Sequence, residues 1–255
     1  MSGNIRFNSE AAAWDSNPDV HRFSDGALQA LLTAREDLAA AKNSGTPAAI
    51  DVLEIGCGTG LLSLRLAPYV RSILAVDAAE GMIDALRQKL SGLPDGAVGS
   101  NISPLCLLLT DPEDPALPPA TDGRARRKFD LITSHLVLHH IADLESLLRT
   151  IYGSLKAGGE AALTDFEDFG PEARKFHPEA KMDGVERHGV DAAWFAGLMK
   201  AAGFVDVDVK AAWVMEKEVE RFPGEWDDGK PKGGNITPET LRFPFLLCRG
   251  KRPAS

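Results

Sequence analysis

Gly56, Gly58 and Gly60 stand at alternate positions directly behind the run Val52-Leu53-Glu54-Ile55, and a strand that enters such a loop builds a cradle for a ligand. Glycine makes positive φ angles accessible and, having no Cβ, lets a ligand approach the main-chain amides. Asp77 ends a second apolar run, where a carboxylate can accept both hydroxyls of an adenosine ribose. The glycines are spaced G-x-G-x-G, not the G-x-G-x-x-G that fits a dinucleotide pyrophosphate. Histidine is the other reactive set, since it can take a proton near neutral pH. His135 closes a strand at its carboxyl edge, His139 and His140 follow in a loop, and His177 and His188 lie in an irregular stretch further on. The paired histidines read as loop-packing residues, which leaves His135, His177 and His188 as the catalytic candidates. His177 and His188 with Glu179 and Glu186 could bind a metal, but their spacing matches no ligand motif, and no metal is expected.

These residues need a parallel sheet to position them. Hydrophobic period gives alternating strands and helices: strands at Asp51 to Ile55, Ser72 to Asp77, one ending near Thr110, Phe129 to His135 and Glu160 to Phe166. A helix from Val20 through Leu38 comes before the first strand. Helices from Thr59 to Pro68, from Glu80 to Leu90 and through Leu144 to Leu155 follow strands one, two and four; the last ends at Ala157-Gly158-Gly159, read as a cap. Val205, Val207 and Val209 alternate with Asp206, Asp208 and Lys210, as in an edge strand with one wet face, and Phe243 to Cys248 can pair antiparallel with it. The fold class is α/β: a seven-stranded Rossmann-like sheet of five parallel βα units closed by an antiparallel hairpin, with helices on both faces. Residues 1–45 form an amino-terminal helical lid. Residues 46–255 form the ligand-binding domain, with an insertion at about 167–190 that covers a substrate.

The 255 residues suit one large domain, and 28 Lys and Arg against 37 Asp and Glu give a net charge of -9. That balance disfavours nucleic acid as a partner. Arg124, Arg126, Arg127 and Lys128 form a basic run, but it enters its strand at the amino end, opposite the ligand edge, and reads as a solvated face. No apolar run approaches the ~20 residues that span a bilayer, and neither a secretory signal nor a transit peptide stands out at Met1 to Asn8. Cys57, Cys106 and Cys248 form no C-x-x-C pair. A cytoplasmic monomer or weak dimer without a membrane partner is expected.

Tyr152 and Lys156 share the Y-x-x-x-K spacing of short-chain dehydrogenases, yet Lys156 stands at the carboxyl end of its helix, away from the glycine loop, so a nicotinamide reductase is set aside. The ordered set Val52 to Gly60, Val76-Asp77, Gly81-Met82-Ile83, Phe129 to Ile132, Leu138 to Ile141 with Asp143, and Leu155 to Gly159 resembles the class I S-adenosylmethionine-dependent methyltransferases over roughly residues 50 to 165. Ala12 to Pro18 resembles the amino-terminal lid of ubiquinone-biosynthesis-like enzymes that act on small molecules. The resemblance implies that Glu54, Gly56, Cys57, Gly58 and Gly60 surround the amino-acid end of S-adenosylmethionine, that Asp77 with Ala78 holds the ribose, that Met82 packs on the adenine, that Asp111 bonds its exocyclic amine, and that the lid residue Trp14 closes over the cofactor. Methyl transfer to a small-molecule acceptor by in-line displacement follows. A non-catalytic cofactor-binding regulator and a protein methyltransferase are the alternatives.

Overall fold

The computed structural model describes residues 2–94, 96–120, 123, 125–227, 230–232 and 237–254. Its main sheet contains β1 (Ala48–Ile55), β2 (Val70–Asp77), β3 (Ile102–Cys106), β4 (Phe129–His135), β5 (Leu155–Phe166), β6 (Val205–Val219) and β7 (Glu239–Lys251), in the order β3-β2-β1-β4-β5-β7-β6. The first five strands pair in parallel, and β7 runs antiparallel between β5 and β6. Strand order reverses between β1 and β4, so a crevice opens at the carboxyl ends of these two strands. The glycine loop leaves one and the histidine loop leaves the other.

Alternate residues on the strands feed two cores. Leu53, Ile55, Ile132, Leu163 and Leu246 face α6 (Leu144–Ser154) and α7 (Ala192–Ala201). Val52, Leu131, Ala162 and Leu247 face α2 (Pro18–Ala34), α3 (Glu36–Ser44), α4 (Leu61–Leu66) and α5 (Glu80–Ser91). Burial on both faces is why the parallel strands read as continuous apolar runs. A third cluster of Phe23, Phe166, Phe176, Val219, Phe243 and Phe245 fills the space where β5 and β7 meet residues 171–176.

Four boundaries differ from expectation. An additional helix, α1 (Ser2–Trp14), comes before Asn17, whose side chain caps α2 through the amide of Asp19. The long helix from Val20 breaks at Arg35, which is extended, so that its guanidinium can bond Asp37 and Glu160, the latter at 2.8 Å. Strand three ends at Cys106 rather than near Thr110. Helix α6 ends at Ser154, and Gly158-Gly159 lie inside β5, at a register shift opposite Phe129 and Leu131. A Cβ at Gly159 would stand 2.9 Å from the carbonyl oxygen of Phe129; close backbone approach, not a helix cap, requires glycine there.

The basic run pairs with acids at the amino edge of the sheet. Arg127 meets Asp51 at 2.6 Å, Lys128 donates to the Pro112 carbonyl, and Arg126 donates to the Leu117 carbonyl; Arg124 lies outside the described residues. Lys156 reaches Asp130 at 2.7 Å on that edge, remote from the glycine loop, and the Tyr152 ring packs on Phe204. Among the described residues, no helix is long and apolar enough to cross a membrane.

Candidate active site

The cradle is built by backbone geometry that only glycine tolerates well. Gly56, Gly58 and Gly60 have φ of 70°, 54° and 81°, in the left-handed region. Packing adds a reason at two of them, since a Cβ on Gly56 would run into Val137 and one on Gly60 into Leu86. Gly58 differs: no atom lies within 4 Å of where its Cβ would be, so open space stands over the middle of the loop. The amides of Gly56 and Cys57 both donate to the Val76 carbonyl, tying the loop to β2.

Asp77 completes that tie. Its Oδ2 accepts from the Gly58 amide and its Oδ1 from the Ala79 amide, both at 2.8 Å. Burial raises its pKa, because the ionised carboxylate loses hydration. Ala78 beside it is half-buried. Glu54 lies beneath the loop, 1% exposed, and accepts from the hydroxyl of Ser63 in α4. Burial, reinforced by the nearby Asp77 charge, pushes its carboxyl up to about 8. Cys57 is buried, and desolvation raises its thiol well above the usual range.

The amino-terminal helices lie across this cradle. Ala11, Phe7 and Trp14 of α1 pack on Ala79 and Met82, and Met82 is 2% exposed. Asn8 Oδ1 accepts from the Gly81 amide at 2.8 Å. After the helix ends, Asp15 accepts from the Thr59 hydroxyl at 2.6 Å and pairs with Lys89, which also donates to the Thr59 carbonyl at 2.7 Å. Thr59 belongs to the glycine loop, so Asp15 and Lys89 tie the amino-terminal segment to it. Asp111 is exposed, and its Oδ1 accepts from the Glu113 amide in a local turn.

On the other side of the crevice, His135 Nδ1 lies 2.9 Å from the Thr164 hydroxyl, whose own proton goes to the Ser134 carbonyl. Thr164 must therefore accept from His135, which leaves the ring's lone pair at Nε2, buried and without a partner. Desolvation pushes this imidazole down to about 4. Leu136 follows with φ of 56°, an uncommon conformation for a side chain bearing residue, and turns the chain toward His139 and His140.

His139 is more than a packing residue. Its Nδ1 bonds Asp165 at 2.8 Å, and its own amide donates to the same carboxylate, all of it buried. His140 Nδ1 bonds the Gly184 carbonyl at 2.7 Å. His177, carried on residues 171–177, lies with its ring 5.0 Å from His139 and 5.7 Å from His140. The stretch 167–190 folds onto the histidine loop, with the amides of Glu186 and Arg187 donating to the His139 carbonyl. His188 and Glu186 are exposed, and Glu179 pairs with Arg174. The structure thus gathers His177 with His139 and His140 rather than with His188, Glu179 and Glu186. No local sequence signal announces this gathering: Asp165, the penultimate residue of β5, is brought beside the histidine loop by the β4–β5 register, one residue beyond the His135–Thr164 pair.

Comparison with known proteins finds a methyltransferase domain in this chain. A model of a methyltransferase domain matches residues 53–161. An uncharacterized methyltransferase of Schizosaccharomyces pombe is 27% identical over 213 residues, 80% of this chain and 71% of that protein. Residues 53–161 are a methyltransferase domain, and the chain is similar to the class I S-adenosylmethionine-dependent methyltransferases. Phosphoethanolamine N-methyltransferase 1 of Zea mays is 27% identical over 69% of this methyltransferase, which spans only 33% of the maize protein. The crystal structure of the YcgJ protein from Bacillus subtilis shares the fold, with a TM-score of 0.59 at 18% identity over 86% of this chain and 99% of that one. The cradle suits the cofactor of this family on its own geometry, through the open face of Gly58 and the carboxylate of Asp77 beside it.

Proposed function

We propose that this methyltransferase moves a methyl group from S-adenosylmethionine to a small-molecule acceptor by direct in-line displacement. The lid carries the reading: Asp15, Thr59 and Lys89 latch it across the glycine loop while residues 167–190 fold over the histidine side, and a crevice covered from both sides suits a small acceptor better than a polypeptide. The maize relative, by its name, acts on a small amine. S-adenosylmethionine supplies the activated methyl group. The protein's task is to hold the acceptor in line with it and exclude water.

In this reading Asp77 accepts from the ribose hydroxyls, with Ala78 beside it. Gly56, Cys57, Gly58 and Gly60 surround the amino-acid end, and Glu54 supports them from below. Met82 and Trp14 flank the adenine, and Asp111 has Oδ2 free of its own turn for the exocyclic amine. His135 takes the acceptor's proton at Nε2, with His177 and His188 on the acceptor side. Residues 1–45 are the lid, 46–255 the catalytic domain and 167–190 the acceptor cover. The protein acts in the cytoplasm as a monomer or weak dimer.

The test is transfer of labelled methyl from the cofactor into a cell extract. Label is expected in small molecules carrying a +14 mass shift; label confined to polypeptides would replace this acceptor class with protein, and cofactor binding without any transfer would leave a regulator. A second expectation concerns His135. Positioned general bases contribute roughly 10²- to 10⁴-fold, so His135→Gln should lower kcat at least about 100-fold and leave S-adenosylmethionine affinity within a factor of about three. Parallel losses in both quantities would remove His135 from the acceptor side.

A further inference from the structure

We propose that His139, His140 and His177 form a binding site for a divalent transition-metal ion such as Zn²⁺, held by three imidazoles with a fourth position open. One ring nitrogen from each residue lies within 4.8 Å of one from each of the others. A tetrahedral ion about 2.0–2.1 Å from each nitrogen needs them roughly 3.3 Å apart, so small ring rotations close the site.

The partners of two rings dictate what they present. The Asp165 carboxylate and the Gly184 carbonyl can only accept, so His139 and His140 both donate from Nδ1, and each neutral ring keeps its lone pair at Nε2. These rings are 3.9 Å apart, and His139 Nε2 is buried with no hydrogen-bond partner. An anion has nothing to gain from two acceptor nitrogens; a cation has. The Asp165–His139 contact is also the carboxylate–histidine arrangement that orients a metal-binding imidazole and raises its basicity. Asp165 is itself fixed by the amides of His139 and Phe166.

Aromatic side chains wall the cluster. Phe7 of the lid meets His140 edge-on, and Phe166 and Phe176, stacked on each other, pack against His139. Two cations stand near and are turned to other partners. Arg6 donates to the carbonyls of Lys181 and Asp183, and Lys217 lies over the Phe176 and Trp226 rings. Since His177 comes from residues 167–190, an ion here would tie that cover to the loop after β4. Its open position would take water or an acceptor oxygen or sulfur; this last step rests on the acceptor reading above, whereas ion binding does not.

The full chain, stripped with a chelator, is titrated with Zn²⁺ alone by calorimetry and with Co²⁺ alone by visible absorption. One ion per chain is expected, with Co²⁺ bands typical of nitrogen ligands at low coordination number and a rise in melting temperature. His177→Gln and His140→Gln should each weaken binding at least about 10-fold, and Asp165→Asn about 10- to 100-fold, while His188→Gln leaves it unchanged. His177→Gln is the decisive variant because its ring is only half-buried, and its thermal unfolding is followed beside the titration. Absence of saturable binding, or equal affinity in His177→Gln and the native chain, overturns the site. S-adenosylmethionine binding measured on the same samples separates the readings: its failure with ion binding intact strikes the cofactor assignment and leaves this one standing.

Discussion

Replacing Asp77 by alanine is expected to weaken S-adenosylmethionine binding by roughly 100-fold to 10,000-fold. Two hydrogen bonds from ribose hydroxyls to an ionised carboxylate contribute about 1.5–3 kcal/mol each, and a tenfold change in affinity is about 1.4 kcal/mol. A second loss adds to the first. Asp77 accepts the amides of Gly58 and Ala79, so the variant leaves both donors without their acceptor and loosens the middle of the cradle. Asp77→Asn separates the two contributions. Its remaining oxygen can serve one amide, while its NH₂ confronts the other amide donor, so an affinity between native and alanine is expected. Calorimetry with S-adenosylmethionine reads the effect, and circular dichroism reports whether the sheet survives. Native affinity in Asp77→Ala would remove this residue from the cofactor site.

The second large effect concerns Glu54 and pH. Its carboxyl titrates near 8 in the folded chain against about 4.5 in the unfolded one. Folding therefore favours the protonated form. As pH rises from 4.5 to 8, the unfolded chain releases this proton and the folded chain keeps it, so stability falls across that window and levels off above 8. At about 1.4 kcal/mol per decade, the full effect is on the order of 5 kcal/mol. Glu54→Gln keeps an oxygen for the Ser63 hydroxyl and abolishes the titration. Its stability should match that of the native chain near pH 4.5 and exceed it by several kcal/mol near pH 9. The comparison must be taken as a difference between the two proteins, because the buried His135 and His140, pushed down to about 4 and 3, destabilise the fold in the opposite direction as pH drops below 6.5. Denaturant unfolding across pH measures both curves; parallel curves would show that Glu54 ionises normally in the folded chain.

Why this side chain sits so deep bears on how the cradle works. Glu54 is the penultimate residue of β1 and bonds the helix that begins directly after the loop. A neutral carboxyl there joins strand, loop and helix without placing an uncompensated charge in the core. The amino-terminal segment adds a second restraint from above, through Asp15 and Lys89 on Thr59. The loop is held from both sides, and Gly58 alone keeps open space over its Cα.

The amino-acid sequence alone determined the parts of this methyltransferase that depend on near neighbours. β1, β2, β4 and β5 followed from apolar runs buried on both faces and the edge strand β6 from strict alternation, whereas the short β3 is only partly buried. The glycine loop and Asp77 followed from residue types whose conformational freedom or charge has a local reason. The boundaries that differ lie where distant contacts override local preference: Arg35 breaks a helix to reach Glu160 in β5, and Gly158-Gly159 lie in a strand where the Phe129 backbone passes too close to Gly159 for any side chain. Only the tertiary structure decided the histidines. His139, Asp165 and His177 are separated by 26 and 12 residues along the chain, and no period or motif links them. The parallel register of β4 with β5 brings Asp165 beside the loop after β4, and residues 167–190 fold back to deliver His177 there. Proximity created by sheet register and chain return has no local sequence signature, because the energy that fixes it comes from burying the strands, not from the residues it brings together.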